Sequence, residues 1–126
     1  MKVARLTLDW VRMSDLSANS RHHWRAKARL VKNQRGMATA IAYHQGLHRV
    51  KHLIPAEGPI FVTYICCPPS GTVYPDDDNF VTAQKGARDA IAKVLGVDDK
   101  RFKTREVVKG ERSKTGGVIV EIEVEV

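Results

Sequence analysis

The chain has 126 residues, 43% of them apolar and 28% charged, which suits one ordered domain with a real core and argues against a disordered segment. No apolar run approaches the ~20 residues of a membrane helix, and the opening "MKVARLTLDWVRM" lacks the apolar centre and cleavage site of a secretory signal, so a cytoplasmic protein is expected. The formal net charge of +7 is unevenly placed: residues 16 to 56 hold eight Lys/Arg, all five histidines and no acid, whereas residues 57 to 99 hold seven acids against three bases. A basic block of that kind suits a polyanion partner.

In chain order, "VARLTLDW" at 3 to 10 alternates as a strand does. "SDLSANS" is a polar loop with helix-start residues. From about Ser20 to about Tyr43 the composition predicts a long helix, with Trp24, Ala28, Val31, Met37, Ala38 and Ile41 as its buried stripe and Gly36 as a kink or break. "HQGLHRVKHLIPAEGP" reads as a connector. "IFVTYICC" at 60 to 67 is a β-branched and aromatic run, hence a central strand. It ends in adjacent Cys66 and Cys67, expected to be small apolar residues rather than a disulfide or a zinc site. A second helix is expected from Asp78 or Asn79 to about Leu95, with Gly96 as its stop. "FKTREVVKGER" is a short strand. "VIVEIEVEV" is a final strand with Val118, Val120, Ile122, Val124 and Val126 on the core face and Glu121, Glu123 and Glu125 in solvent. The order β-α-β-α-β-β predicts a single α+β domain over residues 1–126, a small mixed sheet of about four strands with two main helices.

The acids concentrate in "YPDDDNFVTAQKGARDAIAKVLGVDD", residues 74 to 99. A helix start uses one or two carboxylates, but three in a row repel one another. An EF-hand loop fails, because its glycine position is Val81 and its closing glutamate position is Ala87. A magnesium site agrees better with the chemistry, since Mg²⁺ takes a few carboxylates together with water and phosphate oxygens. If the segment is extended, Asp76 and Asp78 point to one side as a clamp and Asp77 points away. Either Asp98 or Asp99 returns beside that clamp only through tertiary folding. On the helix, Lys85 falls on the Asp78 face, and Asp89 one turn further is placed to pair with Lys85.

These residues resemble the core motif of the RusA family of Holliday junction resolvases: Asp76-x-Asp78-Asn79, then Lys85, then Asp89-Ala90, then Asp98-Asp99. The "N…HWR…K" pattern of Asn19, His23, Trp24, Arg25 and Lys27 is similar to the family's basic entry segment. In the archetypal resolvase the lysine comes one turn earlier, where this chain has Thr82; Lys85 matches a longer-spaced variant. The resemblance implies a RusA-like fold. It also implies Asp76, Asp78 and Asp99 as catalytic metal ligands for Mg²⁺, with Mn²⁺ as substitute, and Lys85 as the group that stabilises developing negative charge. Asp98 would orient a ligand, the products would carry a 5′-phosphate and a 3′-hydroxyl, and the protein would act as a homodimer on branched DNA.

Arg21, Arg25, Lys27, Arg29 and Lys32, with Asn19 and His23, are the expected DNA contacts; the alternative is the solvated face of an amphipathic helix. Trp24 is either a core anchor or a base-stacking platform. His44, His48 and His52 have helical spacing, but Gly46 and Pro55 interrupt a helix there and no acid or cysteine completes a zinc site. Two rivals accompany the junction-resolving nuclease: a DNA-binding module of the same fold without catalysis, and a family nuclease acting on forks, flaps or phage replication intermediates.

Overall fold

The computed structural model describes residues 1–16 and 23–125. Strand β1 (Lys2–Leu8) leads through a single helical turn, α1 (Met13–Leu16), to the long helix α2 (Trp24–His44). A 3₁₀ helix (Leu47–Leu53) precedes β2 (Ile60–Cys67). Two consecutive helices, α3 (Asp77–Ala83) and α4 (Lys85–Leu95), and a 3₁₀ turn (Asp99–Arg101) lead to β3 (Phe102–Lys109) and β4 (Gly117–Val124).

The predicted α+β class holds. The four strands form one mixed sheet in the order β1-β4-β2-β3. The β2–β3 pair is parallel, which requires a long crossover, and α3–α4 supplies it. The other two pairs are antiparallel. Register follows hydrophobicity: Ile60, Val62, Tyr64 and Cys66 of β2 stand opposite Val124, Ile122, Val120 and Val118 of β4, and all eight are buried. A slip of one residue would turn this whole set outward.

Helix α4 buries seven of its eleven residues, more than one apolar stripe, so it is enclosed from more than one side. Helix α2 packs along it. The approach is close because the contact residues are small. A Cβ on Gly86 would lie 2.5 Å from Gln34 Oε1 and 2.7 Å from the Val31 carbonyl oxygen.

Several sequence expectations change. Helix α2 runs unbroken through Gly36. Of its expected buried stripe, Ala38 is buried, whereas Trp24 is 67% exposed and Met37 57% exposed. The segment read as a connector contains the 3₁₀ helix. The single helix expected to Leu95 is two, because the chain breaks at Gln84; Gly96 does end the second, in the left-handed region at φ 71°. The outer face of β4 is not simply solvated. Glu121 is largely buried and accepts hydrogen bonds from Lys2 Nζ at 2.8 Å and Arg5 at 3.1 Å, and Glu123 accepts one from Arg105 at 2.9 Å. Val126 lies outside the described residues. Both cysteines are free, and burial pushes the Cys66 thiol up to about 11, as expected of a packing residue.

Candidate functional site

The chain turns into α3 at Asp76, the N-cap. Its backbone is extended, and its two carboxylate oxygens accept from the Asn79 backbone N–H at 2.9 Å and the Asn79 side-chain amide at 2.8 Å. Asp77 and Asp78 are already in the first helical turn, where the helix dipole favours negative charge. The strand-like alternation that would put Asp76 and Asp78 on one side therefore does not apply. Instead Asp77 and Asp78 together line a concavity closed by Thr82 of α3 and by Thr104 and Glu106 of β3.

The second set of acids gathers at the far end of α4. Asp89, Asp98 and Asp99 line another concavity with Lys93. Burial raises the Asp89 carboxyl above its ordinary value, and the hydrogen bond and charge of Asp99 raise it further, while Lys85 and Arg35 pull it back. Asp98 is exposed and caps the 3₁₀ turn; the Lys100 backbone N–H, 2.9 Å from its oxygen, holds it below the usual range. The ion pair of Asp89 is with Arg35 of α2 at 4.0 Å rather than with Lys85, which acts on it at longer range.

An oxygen-only donor set suits a hard divalent cation. However, the two concavities share no lining residue. Among the described residues, no group of three or more His, Cys, Asp or Glu could hold a metal ion. Asp76 and Asp78 stand at the start of α3, and Asp99 stands in the 3₁₀ turn that follows α4.

The break between the two acid-bearing helices is held from outside. Gln34 of α2 donates through Nε2 to the Ala83 carbonyl at 2.8 Å and accepts at Oε1 from the Gly86 N–H at 2.9 Å. Its carboxamide spans the break, directly beside Lys85. On the other flank Arg88 donates to the Thr104 hydroxyl at 3.0 Å and the Phe102 carbonyl at 2.7 Å, tying α4 to β3. Sequence reasoning missed Gln34, Arg35, Arg88 and Glu106. Gln34, Arg35 and Arg88 bond across elements and Glu106 lines the α3–β3 concavity from the sheet, and neither motif spacing nor periodicity signals such a placement.

The basic residues fall on α2. Arg25, Arg29 and Lys32, at i, i+4 and i+7, form one exposed stripe, and Lys27 is half-buried on another side. His23 is the N-cap, its Nδ1 accepting from the Arg25 N–H at 3.2 Å. Asn19 and Arg21 lie outside the described residues. His44 ends α2, while His48 and His52 belong to the 3₁₀ helix, so the three do not share a helix face. No helix among the described residues is long and apolar enough to cross a membrane.

Fold and site together define a small α+β domain that holds a cationic helix against an acid-bearing one. The chain belongs to the same family as an uncharacterized protein of Xylella fastidiosa (strain Temecula1), with which it is 37% identical over 117 residues, 93% of this chain and 74% of the relative. No family model matches it.

Proposed function

We propose that the protein is a structure-selective endodeoxyribonuclease of RusA type that resolves Holliday junctions in recombination and repair by paired phosphodiester hydrolysis. It would act in the cytoplasm as a C2 homodimer whose two equivalent sites suit the symmetry of a four-way junction. The observation that carries this reading is the fixed attachment of the cationic helix to the acid-bearing one: Gln34 spans the α3–α4 break and Arg35 pairs with Asp89. A protein that only binds phosphates gains nothing from holding carboxylates beside its cationic surface, because the two repel.

That repulsion is also why the reading requires a cation, Mg²⁺ with Mn²⁺ as substitute. In the reading, Arg25, Arg29 and Lys32 bind backbone phosphates and Lys85 offsets charge that develops at the reacting phosphate. Asp78 is the carboxylate on which activity depends most, since it lines the α3–β3 concavity without serving as the cap.

The second reading, a DNA-binding module without catalysis, is favoured by one observation: the exposed stripe of Arg25, Arg29 and Lys32 can bind phosphates whether or not the acids hold a cation. One experiment divides them. The purified protein is incubated with a synthetic four-way junction, a fork or a linear duplex, in Mg²⁺ or in EDTA. Symmetric nicking of the junction that needs Mg²⁺ and is lost in Asp78→Asn supports the resolvase. Nicking of the fork alone indicates a related nuclease with another branched substrate. Tight junction binding with no cleavage in Mg²⁺ or Mn²⁺ leaves the binding module.

A further inference from the structure

The first turn of α2 carries a tryptophan that takes no part in the core formed by the described residues. Trp24 is 67% exposed and stands outside the hydrophobic core. It is instead bracketed by cationic and aromatic neighbours. The Arg25 guanidinium lies 5.0 Å from its ring centroid, and the His23 ring lies 5.6 Å away with a tilt of 34°. The ring stands about 100° round the helix from Arg25, beside the exposed stripe of Arg25, Arg29 and Lys32.

The electrostatics of this end of the helix are unusual. The first turn of α2 has no acid, although that is where a helix dipole favours one, and the exposed Arg25 sits there instead. The first turn of α3, by contrast, has Asp77 and Asp78. Cations at the positive end of a 21-residue helix are disfavoured until an anion joins them. A partner that supplies a phosphate to the stripe and a flat π-face to the indole satisfies both features at once. An unpaired nucleotide has both groups; a duplex has the phosphates but keeps its base faces stacked away.

We propose that Trp24 is a stacking platform for one unpaired nucleobase, with Arg25, Arg29 and Lys32 holding the flanking phosphates of the same strand. This rests on the nucleic-acid partner in the proposed function and sharpens it: the protein would recognise a branch point by the base that is splayed there. Arg25 both polarises the indole face and reaches the backbone, so its loss weakens every nucleic acid, whereas loss of Trp24 weakens only those with unpaired bases.

Tryptophan fluorescence tests this directly with the full chain in EDTA, where cleavage does not interfere. The probes are oligo-dT, a splayed fork and a blunt duplex of equal length at one fixed salt concentration. Oligo-dT and the fork are expected to quench the emission and the duplex to leave it nearly unchanged. The other tryptophan, Trp10, is packed against Phe80 and serves as an internal background. In Trp24→Ala the quenching disappears and affinity for oligo-dT and fork falls about 5- to 150-fold, while duplex affinity changes less than about twofold. Trp24→Phe keeps a ring and recovers much of the binding.

Equal quenching by duplex and oligo-dT, or unchanged fork binding in Trp24→Ala, overturns the proposal. So does an emission change that follows protein concentration in the absence of DNA, which would mean that a second copy covers the indole. Cleavage of junctions without quenching removes this proposal and leaves the nuclease reading standing; quenching without cleavage does the reverse.

Discussion

Two residues show what individual side chains contribute. Gly86 is glycine because α2 passes too close for anything larger: a Cβ would meet a backbone carbonyl of Val31 as well as the Gln34 amide. Gly86→Ala should therefore destabilise the fold by about 1–3 kcal/mol, read as a lowered urea midpoint with unchanged slope. Glu121 tests the reading of the sheet's outer face. The hydrogen bond from Lys2 holds its carboxyl below the ordinary 4.5, outweighing the partial burial that pushes it up, and Arg5 adds to the lowering. A depressed carboxyl contributes stability that is present above the unfolded value and lost as pH falls through the folded one. Glu121→Gln should thus lower Tm near pH 7 by a margin that shrinks as pH drops below about 4.5, reported by thermal unfolding at a series of pH values. A margin independent of pH would mean that packing, rather than charge, is what Glu121 provides.

At the scale of elements, legibility in the sequence depended on whether a feature is local. Strand β2 was readable to the residue because its β-branched run is bounded by Pro and Gly. The stop at Gly96 was readable because only a residue without Cβ enters the left-handed region cheaply. The acids stood out in the sequence as a cluster, but the backbone that carries them was not legible. The sequence suggested a strand-like clamp of Asp76 and Asp78, whereas Asp76 became a cap and Asp77 joined Asp78 on the helix. The break at Gln84 was invisible because no proline marks it and Gly86, already inside α4, is not in a left-handed conformation that would signal a stop. Its free Ala83 carbonyl and Gly86 N–H are satisfied by Gln34, some fifty residues away. Gln34→Leu keeps the bulk and removes both bonds, leaving two partly buried backbone groups unpaired at about 1 kcal/mol or more each. The expected result is a destabilisation of roughly 2–3 kcal/mol together with faster amide exchange at Gly86. Unchanged exchange there would mean that the two helices hold their angle without Gln34.

For the whole molecule, the decisive feature is how charge is distributed between layers. Helix α4 is enclosed and carries the half-buried Asp89, while α2 covers it and turns Arg25, Arg29 and Lys32 outward. Chain order anticipates this, since the acid-free block of residues 16 to 56 contains the whole of α2. On the proposed function these side chains displace counterions from DNA, and each phosphate contact contributes about 0.9 to the slope of log K against log salt. Replacing Arg25, Arg29 and Lys32 together by Gln should flatten that slope by about 2–3 and weaken binding similarly for duplex, fork and junction, because phosphates carry no structural signature. The fold should be unaffected, because none of the three is buried. The measurement is binding by fluorescence anisotropy across a salt series in EDTA, with near-native Tm as the control. If the slope is unchanged although the variant is folded, the polyanion-binding surface lies elsewhere. The exposed cations of the edge strand β3, Lys103, Arg105 and Lys109, would then be the next to replace.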